Sequence, residues 1–291
     1  MPYDIDSNIS AFSPESSKDM ATLEAFASDL CVTDEDLYAA GVDMSGAQAA
    51  CLFDVRTGET LYSKNANKQL HPASLTKIMT ALLALKYGNL DDILTVSENA
   101  EIKESGAQLC GFKAGDRLSL EQALNGLLIY SGNDAGVVIA EYLSGSVEKF
   151  SDLMNSEALS LGATNTHFSN PHGLTEEEHL TTAYDLYLIF NEVIKYDKFV
   201  EIISTKEYSS SYTDAAGNEK KLEFTSTNRY LNGRSKSPQS LNVIGGKTGS
   251  TDAAGACLIL LSRNEAGDDH ISVILHADDH DLLYLAMTSM L

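Results

Sequence analysis

The pattern of hydrophobic and polar positions divides the chain into two parts. Residues 1–44 are mostly polar and acidic, and they contain one candidate short helix over 20–30. From Ala47 onward, apolar runs with strand or helix periodicity follow one another with short turns between them. We therefore expect residues 1–44 to form a loosely structured acidic leader and residues 45–291 to form one folded domain.

Within residues 45–291 the pattern predicts a short hairpin, then a block of helices, then a set of strands. The hairpin is expected over 47–63, around the turn sequence 56–59. Helices are expected to begin near Ser74, Ser119, Ala135, Val147 and Thr182. Strands are expected at 206–212, 220–225, 241–247, 256–262 and 271–276. This segregated order predicts an α+β fold in which the N-terminal strands join the C-terminal ones in one antiparallel sheet.

Composition narrows the range of partners. The 291 residues are 43% hydrophobic, which is enough to bury a core, and 42 acidic against 20 basic residues give a formal net charge of −22. Such a charge repels nucleic acids and anionic membranes, so we expect neither as a partner. The four cysteines have no C-x-x-C spacing, and no stretch is apolar enough for a membrane span. We expect no metal and no cofactor.

Ser74 and Lys77 are the first candidate catalytic pair. They follow Pro72 at the start of an apolar run of helical period, where residues three apart share one face. A hydroxyl and an amine in this arrangement can act as a nucleophile and its base. The spacing alone does not distinguish this pair from an ordinary helix start, because Ser146 and Lys149 repeat it.

Two further motifs place polar side chains at element boundaries. Ser131-Gly132-Asn133 occupies a tight junction between two apolar helices, where it would either cap the helices or line a cleft. Lys247-Thr248-Gly249 ends a predicted strand, and its small residues allow another backbone to approach while the lysine and threonine bind a carboxylate. A phosphate-binding loop is not indicated, because Leu241 stands where that loop requires glycine.

The order S-x-x-K, S-x-N, K-T-G is typical of penicillin-binding proteins and class A β-lactamases. With these motifs the sequence resembles the D-alanyl-D-alanine carboxypeptidases, the low-molecular-mass penicillin-binding proteins that trim peptidoglycan stem peptides. The resemblance extends from about Ala47 to Leu283, and it includes the segments 72–77, 131–135, 166–174 and 247–257. It implies the serine transpeptidase fold, in which a helical subdomain packs on an antiparallel sheet flanked by helices.

The resemblance also implies a role for each motif residue. Ser74 would attack the carbonyl between the two terminal D-alanines, and Lys77 would take its proton. Lys77 can do so only when it is unprotonated, and burial together with the second cation Lys247 would favour that state. Ser131 would relay the proton to the departing D-alanine, while Asn133 would hold the substrate amide and orient Lys77.

The K-T-G strand would bind the other end of the substrate. Lys247 and Thr248 would hold the terminal carboxylate, and Arg229 is a further candidate cation. Backbone N–H groups of Ser74 and Ser250 would meet the developing oxyanion. The expected partners are a stem peptide ending in D-Ala-D-Ala and β-lactams as covalent inhibitors of the same serine. Such an enzyme would act outside the cytoplasm, after removal of a signal peptide.

Members of this family often carry a second, all-β domain and a C-terminal amphipathic membrane anchor. The printed chain stops at Leu291, and we expect residues 45–291 to contain neither. The acidic stretch before Ala47 is also longer than expected for a mature enzyme of this kind.

Three alternatives compete with this reading of the motifs. A non-catalytic penicillin-binding sensor would keep the fold, but it would not need a base beside its serine. A class A β-lactamase would need a carboxylate in an E-x-x-L-N stretch after the S-x-N motif, whereas Glu121–Asn125 comes before it. A zinc peptidase could use His270, His276 and His280 with nearby aspartates, but their spacing matches no zinc motif, which favours solvated turn residues.

Overall fold

A five-stranded antiparallel sheet lies at the centre of the protein. The computed structural model describes residues 35–238 and 241–291. Within these residues the strands are β1 (Ala47–Asp54), β2 (Glu59–Lys64), β3 (Ile93–Thr95), β4 (Arg117–Ser119), β5 (Glu207–Thr213), β6 (Glu219–Thr225), β7 (Leu241–Thr251), β8 (Gly255–Asn264) and β9 (Asp269–Ala277). The central sheet has the order β2-β1-β9-β8-β7, and a smaller sheet has the order β3-β4-β5-β6.

The helices pack on both faces of the central sheet and form a separate helical layer. They are α1 (Lys77–Tyr87), α2 (Leu120–Asn125), α3 (Asn133–Ser144), α4 (Val147–Ser160), α5 (Ala183–Val193), α6 (Asp197–Ser204), α7 (Arg229–Asn232) and α8 (His280–Met290). The predicted α+β fold is confirmed.

Strand β1 lies between β2 and β9 and thereby joins the N-terminal strands to the C-terminal ones in the central sheet, as the sequence predicts. Ala50 pairs with Lys64 of β2 on one side and with Ile274 of β9 on the other. The sheet buries both of its faces. On one face Phe53 of β1 stacks on Tyr187 of α5, with 4.0 Å between ring centroids, and on the other α8 contributes a hydrophobic cluster. A strand buried on both sides has no polar face, which explains the continuous apolar run over 49–53.

Helix α1 is buried on all sides within the helical layer. Every residue from Lys77 to Ala84 is buried, and the helix contacts α3, α4 and α5. A helix that is apolar around its whole circumference belongs in a core. Lys77 is the only charged residue of that buried stretch, so its amine lies inside the protein where α1 begins.

Several features differ from the sequence-based expectation. The hairpin of β5 and β6 belongs to the smaller sheet, whereas the pattern predicts that its strands join the other C-terminal strands in one sheet. Strand β7 continues through the K-T-G motif to Thr251, whereas the pattern predicts an end at Lys247. The first helix begins as a 3-10 turn over Ala73–Thr76. Helix α8 is not predicted, because its first residues look like a charged turn. In the structure Asp279 caps α8, and its carboxylate accepts hydrogen bonds from the N–H groups of Asp281 and Leu282.

The candidate helix over 20–30, like most of the predicted leader, lies outside the described residues. Residues 35–44 contact the sheet: Leu37 pairs with Ser63 of β2, and Met44 is buried in the cluster beneath α8. The boundary at residue 44 stays a prediction. Among the described residues, no helix is both long enough and apolar enough to cross a membrane.

We expect Ser119→Ala to lower the free energy of unfolding by about 1 kcal/mol. The Ser119 hydroxyl accepts a hydrogen bond from the Gln122 N–H at 3.1 Å, and the Gln122 side chain accepts one from the Ser119 N–H at 2.9 Å, so the variant loses a reciprocal cap of α2. The measurement is urea unfolding. Ser156→Ala, at an exposed position inside α4, is the control and should change stability by less than about 0.5 kcal/mol. Equal effects of the two substitutions would contradict the capping argument.

Candidate active site

Ser74 lies in the 3-10 turn that precedes α1, at the floor of a cleft. Ala73, directly before it, has a left-handed backbone with φ +47°, a conformation that few alanines adopt. Ser74 is partly exposed while the residues on both sides of it are buried. The turn therefore presents the Ser74 hydroxyl to the cleft from a tightly held backbone.

Lys77 reaches Ser74 from below and has no exposed surface. Its Nζ lies 2.7 Å from Ser74 Oγ, 2.6 Å from Asn133 Oδ1 and 2.6 Å from the backbone oxygen of His172. The amide and carbonyl oxygens only accept hydrogen bonds, whereas the serine hydroxyl can donate one. A neutral amine satisfies all three contacts, with two N–H donors and a lone pair directed at the hydroxyl of Ser74.

The surroundings favour this neutral form. Burial lowers the pKa of Lys77 well below its ordinary value, and the positive charge of Lys247 lowers that pKa further. Among residues 35–238 and 241–291, no salt bridge includes Lys77, so no directly paired carboxylate offsets these effects. Lys77 thus lies where a base for Ser74 would have to lie, and its lowered pKa favours the neutral form that a base requires.

Ser131 brings the second motif to the same place. A wide, π-type helical turn over Gly126–Tyr130 ends at Ser131, which has a left-handed backbone with φ +68°. Such turns recur at functional sites because they redirect a side chain out of a helix. The Ser131 hydroxyl accepts a hydrogen bond from Lys247 Nζ at 2.9 Å. Helix α3 then begins at Asn133, whose side chain meets Lys77.

Lys247 extends from β7 beneath the cleft and is fully buried. Its Nζ also donates to the carbonyl of Thr248 at 2.7 Å, and burial lowers the pKa of Lys247 to about 7. The hydroxyls of Thr248 and Thr227 are 2.6 Å apart. The K-T-G strand and the S-x-N junction therefore meet through one buried lysine.

Gly249 brings the edge of β7 against the Ser74 turn. A Cβ atom on Gly249 would lie 3.0 Å from the backbone nitrogen of Ser74, closer than side-chain atoms normally pack. Glycine thus favours this approach of two backbones, because a larger residue would require the Ser74 turn to shift by a few tenths of an ångström. Ser250 follows on the exposed strand edge and lines the cleft with Ser74.

Arg229 lies farther along the cleft wall. Its guanidinium contacts the carboxylate of Asp281 and lies 5.5 Å from the centre of the Tyr284 ring. The cleft has a volume of about 1180 Å³ and is lined by, among others, Ser74, Ser131, Asn133, Thr248, Gly249, Ser250 and Arg229. Lys77 and Lys247 lie under its floor, where their amines are buried and water does not screen the electrostatic interaction between them.

The competing motifs have ordinary structural roles. Ser146 caps α4 by accepting a hydrogen bond from the backbone N–H of Lys149, so the duplicate S-x-x-K spacing is a helix start. Glu121 lies in the first turn of α2, and Lys198 binds its carboxylate at 2.9 Å. In the part of the chain that the structure describes, no group of three or more histidine, cysteine or acidic residues is arranged to hold a metal ion.

The structure adds His172 to the site. The sequence pattern indicates a packed loop residue, and the imidazole is indeed buried, with its Nδ1 accepting the Leu174 N–H at 3.2 Å. The backbone carbonyl of His172 is what contacts Lys77. A main-chain oxygen is present in every residue, so no sequence signal distinguishes this one.

Comparisons with known proteins agree with this architecture. The family model described as D-alanyl-D-alanine carboxypeptidase matches residues 38–279. The chain is 40% identical over 218 residues to D-alanyl-D-alanine carboxypeptidase DacF of Bacillus subtilis, which covers 73% of this chain and 53% of that protein. It is 35% identical over 266 residues to DacC of Escherichia coli, which covers 88% of this chain and 62% of that protein. The chain thus spans little more than half the length of these curated relatives.

Solved structures show the same fold. The crystal structure of the Streptomyces K15 DD-transpeptidase superposes with a TM-score of 0.78 at 28% identity, covering 84% of this chain and 95% of that chain. The fold is therefore that of the penicillin-binding serine peptidases. Within that class, the chain belongs to the D-alanyl-D-alanine carboxypeptidase family.

We expect Lys247→Met to raise the pKa of Lys77, because removal of a neighbouring positive charge makes the protonated amine less unfavourable. The pKa can be followed through the ε-carbon signal of 13C-labelled lysine, assigned by its loss in Lys77→Met. Lys195→Met removes an exposed lysine that pairs with Glu192 and serves as the control. An unchanged Lys77 titration in Lys247→Met would show that burial alone depresses this pKa.

Proposed function

We propose that this protein is a serine-type D-alanyl-D-alanine carboxypeptidase that removes the terminal D-alanine from peptidoglycan stem peptides. The observation that carries the proposal is the 2.7 Å contact between the buried amine of Lys77 and the hydroxyl of Ser74. A binding module has no need of a serine beside a neutral base. Family membership and the names of the relatives support the substrate class.

The proposed acylation uses five side chains. Ser74 Oγ attacks the carbonyl carbon of the penultimate D-alanine, and Lys77 takes the hydroxyl proton. The backbone N–H groups of Ser74 and Ser250 meet the oxyanion. Collapse of the tetrahedral intermediate breaks the C–N bond, and the proton that Lys77 took is relayed through Ser131, which is bonded to Lys247, to the departing amine. Lys77 is then neutral again. Asn133 holds both the substrate amide and Lys77 in place.

Deacylation then returns the enzyme to its starting state. Lys77 takes a proton from the water that attacks the ester carbonyl, and it returns this proton to Ser74 Oγ as the ester C–O bond breaks and the shortened peptide acid leaves. A β-lactam acylates Ser74 in the same way, but its opened ring stays attached and obstructs the water, so the adduct is long-lived. Because the substrate is part of the cell wall, we propose that the enzyme acts outside the cytoplasm.

The carboxypeptidase proposal is tested by release of D-alanine from diacetyl-lysyl-D-Ala-D-Ala. We expect turnover by the native protein and none above background from Ser74→Ala. Fluorescent penicillin should label the native protein covalently and should not label Ser74→Ala. Ser146→Ala is the matched control, since it alters the second S-x-x-K spacing, and it should be labelled like the native protein.

Other outcomes would overturn the proposal in distinct ways. Stable penicillin labelling without D-alanine release would identify a sensor domain. Rapid turnover of penicillin would identify a β-lactamase. Transfer of the acyl group to an added amine in preference to water would identify a transpeptidase, the activity named for the Streptomyces K15 structure.

Arg229 is proposed as a further ligand of the substrate carboxylate, beside Lys247 and Thr248. We expect Arg229→Met to raise the KM for the peptide about tenfold with a small change in kcat, because this contact is present in both ground and transition states. Arg263→Met, which also breaks a surface pair with an aspartate, is the control. An unchanged KM would show that Arg229 only anchors α8 through Asp281.

A further inference from the structure

A chain of hydrogen bonds connects a buried histidine to the backbone of the nucleophile. His179 and Thr76 have almost no exposed surface, and His179 Nε2 lies 2.7 Å from Thr76 Oγ1. Thr76 Oγ1 in turn lies 2.8 Å from the carbonyl oxygen of Ala73. On the other side of the ring, His179 Nδ1 accepts a hydrogen bond from the Ser169 N–H at 2.9 Å.

These contacts permit only one arrangement of protons. The Ala73 carbonyl can only accept, so the Thr76 hydroxyl donates its single hydrogen there. The His179 Nε2 must then donate to the Thr76 oxygen, and Nδ1 must be unprotonated to accept from Ser169. The ring is therefore neutral with its hydrogen on Nε2. Burial, which lowers the pKa of His179 to about 3, agrees with this state.

The end of the chain is a peptide unit that the proposed reaction uses. The carbonyl of Ala73 and the N–H of Ser74 belong to one planar trans peptide, so they point in opposite directions and move together. Ala73 holds an unfavourable left-handed backbone, and its carbonyl oxygen packs so closely under Gly173 that a Cβ there would lie 1.9 Å away. The contact from Thr76 fixes the direction of this carbonyl.

We infer that His179 is a positioning residue that orients the oxyanion-binding N–H of Ser74 through Thr76 and the carbonyl of Ala73. The inference rests on the proposed serine mechanism, in which that N–H stabilises the tetrahedral intermediate. The peptide unit next to Ser74 needs a fixed direction, because a donor that must reorient during the reaction stabilises the transition state less. His179 lies over a hundred residues from Ser74 in the chain and does not line the cleft.

Two substitutions of His179 separate its two hydrogen bonds. In His179→Asn the side-chain oxygen can replace Nδ1 and keep the bond from Ser169, but the shorter side chain cannot reach Thr76. In His179→Gln the amide nitrogen can replace Nε2 and donate to Thr76. Thr76→Val removes the hydroxyl with little change in volume. His167→Gln, an exposed histidine of the same loop that contacts the Glu178 carbonyl, is the matched control.

We expect Thr76→Val and His179→Asn each to lower the rate constant for Ser74 acylation by fluorescent penicillin about tenfold or more. With the peptide substrate, kcat should fall while KM stays near the native value, because the oxyanion forms only in the transition state. The double variant should lose no more than the slower single variant, since both break one chain. His179→Gln should recover most of the rate, and His167→Gln should match the native protein.

Three results would overturn the inference. The first is an additive loss of acylation rate in the double variant, and the second is equal impairment by His179→Asn and His179→Gln. The third is lower thermal stability with unchanged acylation of the folded protein, because that result would show a purely structural role. Nitrogen NMR of His179 gives an independent check, because protonation on Nδ1 at neutral pH would also contradict it. Failure of the native protein to be acylated would instead refute the proposed function itself.

Discussion

The site depends on the burial of two lysines under one cleft. A lysine amine inside a protein loses its hydration, and without a directly paired carboxylate the charged form is unfavourable. Lys77 and Lys247 share this situation, and the charge on Lys247 adds to the effect on Lys77. Each amine instead donates to neutral oxygens, namely Asn133 Oδ1 and the His172 carbonyl for Lys77, and Ser131 Oγ and the Thr248 carbonyl for Lys247. Burial of the Lys77 amine is unfavourable for its charged form, and the neutral form that it favours has a lone pair beside the hydroxyl of Ser74.

This arrangement needs three parts of the chain to meet at close range. The Ser74 turn, the Ser131 junction and strand β7 come from different layers, and small residues allow their backbones to approach. Gly249 allows the edge of β7 to pack against the Ser74 turn. Gly173 allows close packing of the loop whose His172 carbonyl contacts Lys77. Left-handed backbones at Ala73 and Ser131 direct the two serines into the cleft. Local strain of this kind persists only where the surrounding packing holds it, and here the buried α1 and the central sheet do so.

Ser74 and Lys77 are held in place by groups that do not line the cleft. Lys77 is oriented by a main-chain oxygen of the loop around His172, and the peptide before Ser74 is bonded to Thr76, which His179 contacts. Both contacts come from the segment between α4 and α5. That long connection therefore supports the Ser74 turn from behind, while Ser74, Ser131, Asn133 and Thr248 of the three motifs line the cleft.

The sequence by itself determined the class of the protein and most of its elements. The spacing of Ser74 and Lys77, the capping box at Ser119 and the continuous apolar run of β1 are local patterns, and each produced the expected element. The sequence could not distinguish the pair Ser74/Lys77 from the pair Ser146/Lys149. The difference lies in the burial of Lys77 and in its hydrogen-bond partners, which are 56 and 95 residues away in the chain. Helix α8 and the extension of β7 were also decided by tertiary contacts. The protonation state of Lys77 depends on desolvation and on Lys247, and the contacts of the His172 carbonyl and the neutral ring of His179 depend on the loop's path. These are properties of three-dimensional packing, which only the folded structure sets.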